Sequence, residues 1–473
     1  MNATPTPGDA WKPALVPDTY RHTASPSAED LVESSRILGT SHLVRLAFEQ
    51  RDPGPLWNSL VQRITANVLD AAALLDMSVM LQAAGQRDKG LLAQDAALQI
   101  RRCFRCRHGR GDGLKVLAFM TAGDLMANTP VDFLLEGSDM ELISVYVDAA
   151  TQTLSDLPEH DVAFVAIGES EANEPVLRNL QRLLVDWTWP IVNNAPLHIQ
   201  ELTRDGVAER FATEPSILAP ITIRADRDTL SLLAQEKIKV SQLLQNQDFP
   251  VIVRPIGTHA GHGMVKIDRE AELISYLAVH DDAQFYLCPF INYRSRDGLY
   301  RKQRIAFIDG KAFASHFAAS ENWMVHYLSA GMLGNEVRCA EEASWMSHFE
   351  EFADRHRQAF ATLQHLVGLD YFVIDCAEMP DGRLLLFEID VAMIVHDMDP
   401  ADFFPYKKPA MNKLFNAFQC ALVGRLASTG NRNNEGGGSA AFPFQATANL
   451  GQWPCWHAEN SMKDHASATS ESR

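Results

Sequence analysis

Tyr371-Phe-Val-Ile-Asp-Cys-Ala-Glu-Met-Pro-Asp-Gly-Arg-Leu-Leu-Leu-Phe-Glu-Ile-Asp390 is the stretch from which the rest of the chain can be read. Tyr371 to Ala377 is rich in β-branched and aromatic residues, and Leu384 to Ile389 is a continuous apolar run. Met379-Pro-Asp-Gly382 between them is a turn signal, because glycine accepts the positive φ of a tight hairpin. Folding back on Asp381-Gly382 brings Asp375 beside Glu388, with Pro380 making a one-residue bulge plausible. Side chains two apart on a strand share a face, so Glu388 and Asp390 point the same way. Three carboxylates then converge at one end of a buried hairpin. Such crowding is costly unless protons or a cation neutralise it. Mg²⁺, a hard ion that takes a few carboxylates together with phosphate oxygens and water, suits the set. The plain alternative is three acids facing solvent at a strand end, and the flanking apolar run argues against it.

Upstream, Phe249-Pro-Val-Ile-Val-Arg-Pro-Ile-Gly-Thr-His-Ala-Gly-His-Gly263 reads as a short buried strand that ends in a cation and enters a glycine-rich turn. Gly257, Gly261 and Gly263, with Thr258 between them, let backbone N–H groups approach phosphate oxygens, and Arg254 would complete the cradle. Three glycines also occur in ordinary hairpins, so this segment gains its weight from the acidic hairpin downstream.

Strand, basic residue, glycine loop, hinge strand, basic strand and acidic hairpin, in that order, resemble the ATP-grasp superfamily, in its RimK-like and D-Ala-D-Ala-ligase-like group of carboxylate–amine ligases. The resemblance implies an α/β fold: an ATP-grasp domain over 227–428 preceded by a Rossmann-like domain over 111–226. It implies ATP and Mg²⁺ (or Mn²⁺) as cofactors. Arg254 and the loop Gly257, Thr258, Gly261, Gly263 match the phosphate-binding segment. Phe285 to Ile291, with Cys288 and Phe290, matches the hinge that receives adenine. Asp375, Glu388 and Asp390 match the metal ligands. The run Arg301-Lys-Gln-Arg304 matches the strand that carries phosphate- or substrate-binding cations, with Lys302 toward the nucleotide and Arg301 and Arg304 in catalysis. Three positions depart from the usual pattern: Asp390 stands for asparagine, Arg254 for lysine with a changed donor geometry, and Leu287-Cys-Pro-Phe290 lacks the usual hinge glutamate.

From Gly113 the chain alternates between strand and helix: Leu114 to Phe119, Met140 to Tyr146, Asp161 to Ile167, a helix over Asn173 to Trp187, then Pro190 to Val192. This predicts a parallel sheet flanked by helices. Ligands in such sheets bind past the carboxyl ends of the strands, which points to Thr121-Ala-Gly-Asp124, Asn128-Thr-Pro130 and Gly168-Glu-Ser-Glu171, each equally readable as turn chemistry. Residues 27–110 show apolar recurrence at three and four, a helical module in which Asp76 to Ala84 and Leu91 to Cys103 resemble one TPR helix pair. Residues 1–26 and 429–473 read as disordered tails.

At 473 residues and 46% hydrophobic, the chain has room for two to three domains with full cores. A net charge of −18 argues against nucleic acid and against an anionic membrane as partners. No apolar run approaches a membrane span, and the N-terminus lacks the apolar core of a signal peptide. Seven scattered cysteines fit a reducing cytoplasm. Cys103-Phe-Arg-Cys106, with His108 nearby, has no second ligand pair and reads as structural rather than as a zinc site.

The implied reaction is ligation of a carboxylate to an amine through an acyl phosphate, releasing ADP and phosphate. The substrates are unidentified, with a peptide or protein among the candidates. His326 and Tyr327, in the stretch that follows His316, could orient or deprotonate the amine or merely hydrogen-bond a phosphate, although a lone histidine, His396 included, is more often a structural residue. Two other readings stay open: a phosphotransferase on the same fold, and a non-catalytic nucleotide-binding scaffold with a helical partner-binding module.

Overall fold

The computed structural model describes residues 35–258, 261–326 and 330–432. His259, Ala260 and Tyr327 lie outside the described residues, as do the first tail and the second from 433 onward.

Four helices come first: Thr40–Phe48, Gly54–Ala66, Ala71–Ala83 and Arg87–Ile100. Asp70 caps the third by accepting the Ala73 N–H at 2.9 Å, and Gly85, at φ 75°, turns the chain between the last two. The helix expected to reach Cys103 ends at Ile100. The next segment is strand β1 (Cys103–Arg107), whose alternate residues are buried. Alternation over five residues selects a strand where the helical period of the preceding run has lapsed.

β1 is the antiparallel edge of a five-stranded sheet with β2 (Lys115–Met120), β3 (Glu141–Tyr146), β4 (Val162–Val165) and β5 (Ile191–Val192), in the order β1-β3-β2-β4-β5. β2 to β5 are parallel. β4 is wholly buried and β2 and β3 nearly so, as expected of strands covered on both faces. The helical module is docked on this sheet. Gln94 accepts the Gly123 N–H at 2.8 Å, Arg87 pairs with Asp124 at 2.9 Å, and Arg45 reaches Glu136 at 2.7 Å and Asp397 at 2.6 Å.

The chain leaves this sheet before residue 227. β6 (Ile217–Leu218) already lies in the last sheet, and β7 (Ile223–Asp226) in the middle one. The middle sheet is antiparallel, with order β7-β10-β8-β9, from β8 (Val251–Pro255), β9 (Val265–Ile267) and β10 (Gln284–Pro289). The last has order β12-β11-β13-β14-β6, from β11 (Tyr300–Ile308), β12 (Lys311–Ser320), β13 (Tyr371–Glu378) and β14 (Leu384–Asp390). Asp309 and Gly310, both at positive φ, turn β11 into β12 as a two-residue hairpin requires.

The first and last sheets share a core. Phe164 of β4 meets Tyr371 of β13 at 6.0 Å between ring centroids, and both pack edge-on against Phe418 of the helix Lys407–Arg432. Asn193 fixes the register across this seam, donating to the Tyr371 carbonyl at 2.9 Å while accepting the Tyr371 N–H at 2.8 Å. The architecture is mixed α/β. No described helix is long and apolar enough to cross a membrane.

Candidate active site

The hairpin forms as its sequence suggests. Asp375 pairs with Glu388, and the bulge falls at Phe387, since Cys376 already pairs with Leu386. Asp375, Glu388 and Asp390 therefore share one face of β13 and β14. β11 adds Arg304 directly opposite Asp375, and Lys302 two residues along on the same face.

The buried Asp375 carboxylate is held by both cations. Arg304 donates to it at 2.8 and 3.1 Å, and Lys302 at 2.8 Å. Burial works to raise this carboxyl, but the Arg304 and Lys302 charges outweigh it and hold Asp375 well below the usual carboxylate range. His326 is half-buried in the same field; burial first, then the charges of Lys302 and Arg304, lower its pKa and keep the ring neutral near pH 7. His316 faces Arg304 across the β11–β12 pair, with its ring 4.9 Å from that of His396, and burial keeps both imidazoles neutral.

Arg301 does not join this group. One residue from Lys302, it projects from the opposite face of β11 and is paired with Asp297 at 2.5 and 3.0 Å and with Glu341. The strand alternation, read through 301-302-303-304, makes Lys302 and Arg304 the pair that belongs together. Arg301, expected among the catalytic cations, thus stands apart from the face that Lys302 and Arg304 share.

Glu388 turns to Arg204, which lies at the start of the helix Arg204–Arg210 and also donates to the Phe387 carbonyl at 3.2 Å. Asp390 is buried, accepts the Ala392 N–H at 3.0 Å, and has its carboxyl pushed up to about 7 by burial and then by the Glu388 charge. Beside it Glu169, just past β4, is pushed up to about 8 by burial and by Asp390. Gly168 allows this approach. A Cβ there would come within 2.6 Å of the Ala392 Cβ and meet the Ala127 and Met126 carbonyls at 3.4 and 3.5 Å. Gly168→Ala is expected to destabilise the protein by about 1–3 kcal/mol in urea unfolding, because the added methyl overpacks a contact between two backbones.

The glycine loop lies across from this face. Arg254, the last residue but one of β8, lies opposite Tyr286 of β10. It donates through Nη2 to the Thr258 carbonyl and to Thr258 Oγ1, and Thr258 Oγ1 donates to the Pro255 carbonyl at 2.9 Å. Gly257, Gly261 and Gly263 all take positive φ (76°, 74° and 66°), which is what a glycine turn needs. Arg254 Nε is buried with no partner among the described residues. Such a donor costs about 1–3 kcal/mol until an acceptor meets it, and a phosphate oxygen is such an acceptor. Burial and the nearby Arg204 charge lower the Arg254 pKa to about 10, with Glu388 pulling the other way. Arg204 thus stands between the loop and the acidic face. Sequence reading missed it, because 184 positions separate it from Glu388 and no local pattern marks it.

Cys288 pairs with Ile252 in the middle sheet, and Phe290 follows β10, flanked by Lys266 at 5.1 Å from its ring and by Trp323 at 5.6 Å. The segment matched to the hinge therefore runs beside β8, with Phe290 against Lys266 of β9.

The oxygen donors of Asp375, Glu388 and Asp390 fit a hard divalent cation by type. Asp390 and Glu169, carboxyls that burial drives toward neutrality, are the groups such a charge would return to the ionised form. These three carboxylates do not bring their oxygens within 4.8 Å of one another as a set; Asp375 pairs with Arg304 and Lys302, and Glu388 with Arg204.

No family model matches the chain, and comparison with curated sequences finds no relative. Among solved structures the chain is similar to D-alanine–D-alanine ligase from Bacillus anthracis complexed with ATP, at 13% identity and TM-score 0.42, over 68% of this chain and 100% of that one. It is also similar to the D-alanine–D-alanine ligase of Coxiella burnetii, at 10% identity and TM-score 0.43, over 68% and 98%. A third is the VanG D-Ala:D-Ser ligase of Enterococcus faecalis, at 12% identity and TM-score 0.41, over 67% and 100%.

Proposed function

We propose that the chain is an ATP- and Mg²⁺-dependent ligase of the ATP-grasp type that joins a carboxylate to an amine through an acyl phosphate. The observation that supports this reading most is the opposition of two half-sites. Lys302, Arg304 and three carboxylates share one face of the last sheet, Arg254 and its glycine loop end the middle sheet, and Arg204 stands between them.

The substrate carboxylate attacks the γ-phosphorus of ATP, the bond to the bridging oxygen breaks, and ADP leaves with the electron pair. Arg254 and the loop amides bind the phosphate chain, while Lys302 and Arg304 offset charge that develops on the transferred group. Mg²⁺, when held by Glu388 and Asp390 with Asp375, would neutralise phosphate oxygens. The amine then attacks the acyl carbon and expels inorganic phosphate. Neutral His326 is in the state needed to accept the proton that the amine loses.

A cavity of about 590 Å³ opens beside Glu169 and is lined by Glu171, Glu174 and Glu209 as well as Arg210 and Arg224. Glu171 and Glu174 are paired with Arg224 and Arg178, and the remaining excess of carboxylates in the lining would suit a cationic amine, free or at the end of a peptide. The helical module, docked through Arg45, Arg87 and Gln94, would present such a peptide.

The test is a coupled assay for ADP with mixed carboxylates and amines, followed by mass spectrometry of the product. The proposal expects an amide and one phosphate per ADP. A phosphorylated acceptor with no amide would move the assignment to a phosphotransferase, and ATP-independent partner binding without turnover would move it to a scaffold.

A further inference from the structure

At the edge of the first sheet, the structure brings together three residues that the sequence separates into two groups. Cys106 on β1 and His108 just beyond it are two apart, so both point to the same side of the edge strand. Asp132 comes up to meet them from the short helix Val131–Leu134. One ligand atom from each, the Cys106 Sγ, a His108 ring nitrogen and an Asp132 carboxylate oxygen, lie within 4.8 Å of one another, and all three residues are buried.

His108 Nε2 and Asp132 Oδ1 approach to 3.1 Å without an aligned hydrogen bond, and the Cys106 thiol is a further neighbour of the same buried Asp132 carboxylate. A thiol, an imidazole and a carboxylate thus face one another in one buried spot. In tetrahedral zinc, ligand atoms are separated by roughly 3.3–3.6 Å, given bond lengths of about 2.0–2.3 Å, so the His108–Asp132 pair, at 3.1 Å, would open slightly, while the contacts to Cys106 Sγ lie within 4.8 Å. The second Asp132 oxygen accepts the Ser41 N–H at 2.7 Å, the kind of outer contact that orients a ligating carboxylate.

The loop over the cluster is built to the same end. Gly39, at φ 95°, passes so close that a Cβ there would lie 2.7 Å from Cys106 Sγ and 2.5 Å from Asp132 Oδ2. Neighbouring Leu38 is tethered by its N–H to the buried Asp76 carboxylate of the helix Ala71–Ala83, at 3.0 and 3.1 Å. Cys103, the other cysteine of the C-x-x-C motif, packs against the core on the opposite side of the sheet from Cys106. The motif is therefore not a ligand pair, which is why counting cysteine pairs in the sequence passes over the site.

We propose that Cys106, His108 and Asp132 form a metal site for Zn²⁺ or a cation of similar softness, distinct from the nucleotide site, that ties β1 to the short helix Val131–Leu134 and, through the Ser41 N–H on Asp132, to the start of the helical module. A thiolate, an imidazole and a carboxylate suit zinc and cobalt rather than Mg²⁺ or Ca²⁺. The cysteine proton leaves to solvent as the S–metal bond forms. One position in the shell remains for water or a neighbouring group. With its ligands buried, the site is structural, and its loss would loosen the contact of the module with β1.

The test uses the full chain, stripped with a chelator and titrated with Co²⁺ as a spectroscopic stand-in for zinc. The expected result is one equivalent bound per chain, with a sulfur-to-cobalt charge-transfer band and the visible absorption of a tetrahedral ion, displaced by Zn²⁺ but not by excess Mg²⁺. Cys106→Ser should abolish the charge-transfer band, while Cys103→Ser should keep it. Circular dichroism of the variants checks that they are folded; if Cys106→Ser is not, the thiolate band of the unaltered protein and its persistence in Cys103→Ser carry the decision. A folded, unaltered protein that takes up no stoichiometric Co²⁺, or a band that survives Cys106→Ser, overturns the assignment.

Discussion

Asp375→Asn should unfold about 3–5 kcal/mol more easily than the unaltered protein, because it leaves the Lys302 and Arg304 charges without their buried counter-ion. The Asp375 side chain is 4% exposed and receives three charge-assisted hydrogen bonds, so asparagine keeps the shape and removes the charge. Urea denaturation monitored by tryptophan fluorescence measures the difference. The pH dependence has a definite sign. The folded carboxyl is depressed below its unfolded value, so its contribution is complete above about pH 4 and fades as the pH falls toward the folded pKa. The variant should therefore lose most of its disadvantage in strong acid. Equal stability of the two proteins at pH 7 would show that the cations at this position are fully solvated.

Glu388→Gln is expected to behave in the opposite way. Its side chain is 31% exposed, and its ion-pair partner, Arg204, retains the Phe387 carbonyl as an acceptor. The loss of stability should stay within about 1 kcal/mol. ADP release should nevertheless fall by about 10²–10³-fold, the range seen when a preorganised electrostatic group is removed from a developing charge. The pair of variants separates two roles on one face, with Asp375 sustaining fold and site together and Glu388 sustaining chemistry. A Glu388→Gln protein with undiminished ADP release would remove the carboxylate from the reaction.

What the sequence made legible follows from how local each signal is. The β13–β14 hairpin was readable because β-branched runs, an Asp-Gly turn and a two-residue period all lie within 20 positions, and the structure reproduces the pairing of Asp375 with Glu388. β2 to β5 were readable for the same reason, and the loop at Gly168 to Glu171, expected at the end of a parallel strand, does bring Glu169 to Asp390. Three features were not local. β1 was lost in the helical run before it, because a five-residue edge strand is too short to change a windowed period. Arg301 was grouped with its basic neighbours, although strand alternation turns it to Asp297 and Glu341. Arg204 and Asp132 carry no sequence mark at all, since each gains its meaning from a partner more than twenty positions away in the chain.

The most direct test is isothermal titration of the protein with a non-hydrolysable ATP analogue, with and without Mg²⁺, beside Glu388→Gln. The site described here predicts one analogue per chain, binding that strengthens with Mg²⁺, and a loss of at least about 10-fold in the variant. Absence of binding, or binding equally strong without Mg²⁺ and in both proteins, would contradict it.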